Sequence, residues 1–214
     1  MEPSPSPDPV AEPVTSVDVD LLLALGDAAI RAGLEGRVPD QVDESRLPTG
    51  LAVPRGAFVT LQVGGQLNGC IGTIDPTEAL GVAVPRLAWE AAFADPRLPA
   101  LTGADYEDLE IDLSLLGPLV PIPAGSEGEL IANLRPGVDG LVIAAGRRRA
   151  TFLPAVWRKL DDPTAFVHHL QDKAGLAPGR WAADTRAWRY TVTEHRRRAA
   201  EVRRQAPPGP SAAA

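Results

Sequence analysis

Residues 57–73 read AFVTLQVGGQLNGCIGT, two strand-like runs hinged on a glycine pair. Alternation puts Val59, Leu61 and Val63 on one face of the first run. Gly64-Gly65 supplies the two positive φ angles that a two-residue hairpin turn demands, so QLNGCIGT returns as the partner strand. One helix precedes the hairpin: VDVDLLLALGDAAIRAGLEG spaces Leu21, Leu22, Leu25, Ala28 and Ala29 along a helical face. Its acidic start suits the positive end of the helix dipole, and Gly33 or Gly36 suits its stop. PDQVDESRLPTGLAVPRG then reads as a loop.

After the hairpin, TEALGVAVPRLAWEAAFADPR reads as a helix capped by Thr77, kinked or split at Pro85 and ended by Asp95-Pro96. LEIDLSLL alternates, which predicts Leu109, Ile111, Leu113 and Leu115 inward and Glu110, Asp112 and Ser114 outward. GVDGLVIAAG and RRRATFLP form a second hairpin around Gly146. AVWRKL and PTAFVHHLQDKAGL are helical, the latter closed by Gly175. AWRYTVTEH is read as one last strand, with Trp188, Tyr190 and Val192 on one side. Hairpins interspersed with helices, without regular βαβ alternation, give an α+β class of mostly antiparallel sheets with flanking helices.

The 214 residues fit one compact domain, with or without two lobes. Residues 1–15, rich in proline, serine and glutamate, are expected to be disordered. The folded domain is expected over 16–195, followed over 196–214 by a disordered tail, first basic and then Pro/Ala-rich. A net charge of −7 argues against nucleic-acid binding through the whole surface. One cysteine excludes an internal disulfide and suits a reducing compartment. The N-terminus has no secretory pattern and no apolar run is of membrane-spanning length, so a cytoplasmic location is expected.

The order of several segments resembles a known family. GAFVTL followed by LNGCIGT is similar to the hallmark strand of the AMMECR-one family (AmmeMemoRadiSam system protein A), usually Leu-Arg-Gly-Cys-Ile-Gly. AAFADPRLPAL, LEIDLSLLGP, GVDGLVI, RRRATFLPAVW and KAGL followed by Trp181 continue the resemblance over roughly 18–195. Asn68 stands where the family usually has arginine, so a role of that arginine in binding an anionic group does not carry over to this chain. The resemblance implies a two-lobed fold with the Gly-Cys-Ile-Gly strand near the cleft between lobes. It also implies a bacterial setting with a Memo-like protein and a radical S-adenosylmethionine protein as partners.

Cys70 is the first candidate for chemistry. Period-two alternation puts Asn68, Cys70 and Gly72 on one face of the strand, opposite Leu67, Gly69 and Ile71. With Leu67 and Ile71 in the core, Cys70 points to a cleft or to solvent. There it could act as a nucleophile, although free cysteine is also among the most buried residue types. Gly69 and Gly72 would let a ligand or another backbone come close, and Asn68 and Arg97 complete the candidate binding residues. His168 and His169 are candidate partners for Cys70, but a dyad is recognised by geometry and not by sequence distance. Asp95-Pro96-Arg97 reads first as a helix stop with a local ion pair, and Phe152 and Trp157 as core residues.

No CxxC, HExxH, Walker or strand-linked GxGxxG pattern occurs, so neither metal nor cofactor is expected. Three functional readings remain. The first is a cytosolic small-molecule enzyme or enzyme accessory built around Cys70. The second is a non-catalytic binding or regulatory module that offers the groove between lobes to protein partners. The third is RNA binding through the arginine-rich tail, Arg196 to Arg198 with Arg203 and Arg204.

Overall fold

Thr15 opens the first helix, α1 (Ser16–Leu34), with a reciprocal cap: its hydroxyl accepts from the Asp18 N–H, and the Asp18 carboxylate accepts from the Thr15 N–H. The computed structural model describes residues 14–205. These form two units, one from the chain up to Leu115 and again from Glu194, the other from Leu116–Thr193.

In the first unit, β1 (Ala57–Val63) and β2 (Gln66–Thr73) form the expected hairpin, with φ of 56° at Gly64 and 79° at Gly65. Helix α2 (Leu80–Phe93) follows. Thr77 does not cap it; Ala79 holds that position without a side-chain bond. Pro85, the sixth residue of the helix, lies inside it without splitting it, although its missing N–H forgoes one backbone bond. β3 (Leu109–Leu116) pairs antiparallel with β1, and with β8 (Val192–Arg198) the sheet runs β2-β1-β3-β8. The helices cover one face of it, where Leu22, Leu23, Leu87, Val59, Leu61, Ile111 and Leu113 make a continuous apolar core.

Asp112 and Ser114 were expected outward, yet each is only 7% exposed. β3 is an interior strand and Arg196 of β8 binds Asp112, so lying opposite the core residues does not leave these side chains open to solvent. AWRYTVTEH, expected as one strand, is two strands in different sheets: β7 (Arg186–Tyr190) in the second unit and β8 in the first, parted at Thr191. Trp188, Tyr190 and Val192 therefore do not share one strand face.

Residues 196–205, expected in the disordered tail, finish β8 and form α5 (Ala199–Gln205). Arg196 and Arg198 of that basic run pair with Asp112 and Glu110 of β3, while Ala199 and Val202 enter the core. Residues 1–13 and 206–214, which hold the rest of the expected disorder, lie outside the described residues.

The second unit has its own antiparallel sheet, β4 (Val120–Ile122), β5 (Gly140–Ala145), β6 (Arg148–Phe152) and β7, in the order β4-β7-β5-β6. α3 (Glu127–Asn133) and α4 (Pro163–Lys173) accompany it. Trp157 stacks on Phe166 with centroids 3.7 Å apart, and its Nε1–H donates to the Asp139 carbonyl at 2.7 Å. Trp157 is thus a core residue, and Phe152 meets the edge of the same Phe166 ring.

Candidate functional site

β2 is an edge strand, and its register with β1 slips by one residue. Leu61 faces Gly69 but Gln62 faces Leu67, so Asn68 is the extra residue of a β-bulge. A bulge moves later residues to the opposite face. Leu67 consequently leaves the face it was expected to share with Gly69 and Ile71, and stands 52% exposed. Gly69 turns towards α2, where a Cβ would lie 1.9 Å from the Ala91 carbonyl oxygen. At that contact only glycine lets strand and helix backbones meet. The space beside Gly72 is filled by the Phe58 ring.

Cys70 sits on the other face, half-buried, opposite Thr60 of β1. The Thr60 hydroxyl donates to its sulfur at 3.3 Å. Both of its main-chain groups are held by one ion pair from the segment after α2. The Cys70 N–H donates to Asp95 Oδ2 at 3.0 Å, and Arg97 Nη2 donates to the Cys70 carbonyl at 2.8 Å. Arg97 also donates to Asp95 Oδ1 at 2.8 Å and Oδ2 at 2.7 Å. The guanidinium of Arg97, then the Cys70 N–H, hold the Asp95 carboxyl far below the usual carboxylate range although its side chain is only 1% exposed. Asp95-Pro96-Arg97 is therefore more than a helix stop. It occupies the free edge of β2 in place of a fifth strand.

The sheet register extends this site. Cys70 pairs with Thr60 and Thr60 with Asp112, so a thiol, a hydroxyl and a carboxylate stand in one row across β2, β1 and β3. Arg196 on β8 continues it by donating to Asp112 Oδ2 at 2.7 and 3.2 Å. Neighbouring members are about 4.8 Å apart, the spacing of paired strands. The Asp112 side chain is 10% exposed, and its Oδ1 is buried without a hydrogen-bond partner; Asn68 Oδ1 is in the same condition. Alternation in LEIDLSLL finds Asp112, but nothing in the sequence pairs it with Thr60 or Arg196.

His168 and His169 are on α4 of the second unit; His168 Nε2 is 3.0 Å from Glu127 Oε1, and His169 is exposed. Among the described residues, the hydrogen-bond partners of Cys70 are Thr60, Asp95 and Arg97, with no histidine. His195, on β8, is pushed below the usual histidine range by burial and by Arg197.

Within the first unit, a groove of about 710 Å³ runs beside α2, lined by Val38, Pro39, Val42, Val82, Pro85 and Trp89 among others. Among the described residues no group of three His, Cys, Asp or Glu side chains could hold a metal ion. No helix of the described residues is long and apolar enough to cross a membrane.

Comparison with known proteins adds four findings. A protein of Methanothermobacter thermautotrophicus is 34% identical over 175 residues, covering 79% of this chain and 88% of that protein. A Methanosarcina acetivorans protein is 36% identical over 151 residues, covering 70% and 75%. The crystal structure of an uncharacterized protein from Pyrococcus horikoshii superposes with a TM-score of 0.72 at 28% identity, over 83% of this chain and 90% of that one. The sequence profile of AMMECR1 matches residues 23–195, nearly all of both units described above. Family profile, fold and relatives agree, and the chain belongs to the AMMECR1 family.

Proposed function

We propose that this protein is an accessory of small-molecule chemistry that presents Cys70 to a ligand on the polar face of its first sheet. The observation that carries the reading is the double grip on Cys70. Asp95 and Arg97 fix both backbone groups of one half-buried residue, and the Thr60 hydroxyl donates to its thiol. Orientation held in advance lowers the entropy that a ligand must overcome on binding. None of the three partners of Cys70 is a base suited to neutral pH, since Asp95 is committed to Arg97. That favours binding or carriage of a ligand over unaided nucleophilic turnover.

The setting follows from the family resemblance: a cytoplasmic AmmeMemoRadiSam-type system, with Memo-like and radical S-adenosylmethionine proteins as partners. Cys70→Ser tests the reading. It should abolish function in such a system while changing the melting temperature little, because the grip uses only the backbone of residue 70. A large loss of stability with function retained contradicts it.

A second reading, a non-catalytic module that docks a protein partner, is favoured by the groove beside Trp89. A stoichiometric partner whose binding is lost on Trp89→Ala and indifferent to Cys70→Ser would establish it.

A further inference from the structure

We infer that Asp112 is the recognition element of the Cys70 face, and that the ligand held there carries an N–H donor, as a primary amine does. The inference rests on the reading of Cys70 as the ligand-facing group. Asp112 lies in register with Thr60, the residue directly beside Cys70, and on the same face of the sheet. Arg196 satisfies Oδ2 alone. Oδ1 is left buried and unpartnered in a side chain that is nine-tenths covered. A buried acceptor without a donor is costly, and a buried carboxylate oxygen more so. The row does not supply the missing donor: the Thr60 hydroxyl is spent on the Cys70 sulfur. Asn68, the bulge residue two positions from Cys70, adds a second unpartnered acceptor oxygen. Both open valences, Asp112 Oδ1 one strand beyond Thr60 and Asn68 Oδ1 two residues from Cys70, therefore call for hydrogen-bond donors. Seen from Cys70 along the row, the first charge met is negative, and Arg196 stands beyond it.

A substitution at Asp112 can reverse this preference without removing the Arg196 bond. Arginine offers only donors, so in Asp112→Asn the amide oxygen must face Arg196. The amide NH₂ then takes the place of Oδ1, and an acceptor becomes a donor.

Because the chain has a single cysteine, thiol-directed probes report on this site alone. The full chain is treated with 2-aminoethyl methanethiosulfonate and, separately, its 2-sulfonatoethyl counterpart. In each case the Cys70 sulfur displaces methanesulfinate and forms a mixed disulfide that mass spectrometry counts. Rates are divided by those of N-acetylcysteine under the same conditions. The amino probe should be favoured over the sulfonate by about ten-fold in the native protein, the size of a charge-assisted hydrogen bond. In Asp112→Asn the preference should vanish or invert. The Asp95–Arg97 pair is common to both proteins, so the difference isolates Asp112. Labelling by both probes with the selectivity of N-acetylcysteine overturns the inference and leaves the Cys70 reading standing; the native protein alone suffices for this. A preference unchanged in a folded Asp112→Asn protein overturns it too. No labelling by either probe refutes the Cys70 reading and the inference with it.

Discussion

Asp95 accepts the main-chain N–H of Cys70 at 3.0 Å across 25 residues of chain, and Arg97 closes the other side of the same peptide edge at 2.8 Å. An edge strand is ordinarily open to pairing with another chain. Here one buried carboxylate and one guanidinium cover it at Cys70.

Removing that cover should loosen the strand before it unfolds the unit. Asp95→Ala is expected to lower stability by about 1–2 kcal/mol, the usual cost of losing charge-assisted hydrogen bonds partly open to water. Amide exchange at Cys70 should accelerate more than exchange in β1. Equal acceleration along both strands would show that Asp95 supports the whole sheet rather than this edge.

The same carboxylate gives an acid limb to stability. Its folded pKa is depressed, so its contribution is complete above the unfolded value of about 3.9 and is lost as pH falls below that towards the folded one. Urea midpoints should therefore fall between about pH 4 and pH 2.5, and Asp95→Asn should flatten that limb. An identical slope in the variant would assign acid lability to other groups.

Gly69→Ala should be among the most damaging single methyl additions in the first unit. Its Cβ would lie 1.9 Å from the Ala91 carbonyl oxygen, backbone that cannot rotate away. A cost of about 3 kcal/mol or more is expected in chemical denaturation. At Gly33 the obstacle is the Phe93 ring, a side chain that can swing, so Gly33→Ala should cost less. The reverse order would contradict the close approach of β2 to α2.

Truncation after His195 separates the basic residues as a free tail from the basic residues as structure. It removes Arg196 from Asp112, Arg198 from Glu110 and Val202 from the core. A lowered melting temperature and loss of cooperative unfolding are expected. A fully stable truncated protein would return residues 196–205 to the status of an appendage.

Much of this fold is legible in local pattern. The Gly64-Gly65 pair announces the hairpin, and the acidic start and apolar spacing of α1 announce that helix. What escapes is set by single residues or by distant ones. The bulge at Asn68 adds one residue with no compositional mark, yet it sends Leu67 to the Cys70 face. The switch of sheets at Thr191 breaks a run whose alternation is continuous. Asp112 looks like an outward residue until β8 arrives from the far end of the chain. The site follows the same rule: Cys70 stands out in the sequence, whereas its partners Thr60, Asp95 and Arg97 are brought to it only by tertiary pairing.

The central claim is that the Cys70 thiol is presented to ligands by the folded protein, and native-state alkylation tests it most directly. With iodoacetamide, followed by mass spectrometry, a single adduct should form in the native chain. Its rate should stay the same when a stabilising osmolyte slows unfolding. Adduct formation that appears only on unfolding, and slows in step with it, would make Cys70 a structural thiol and contradict the account.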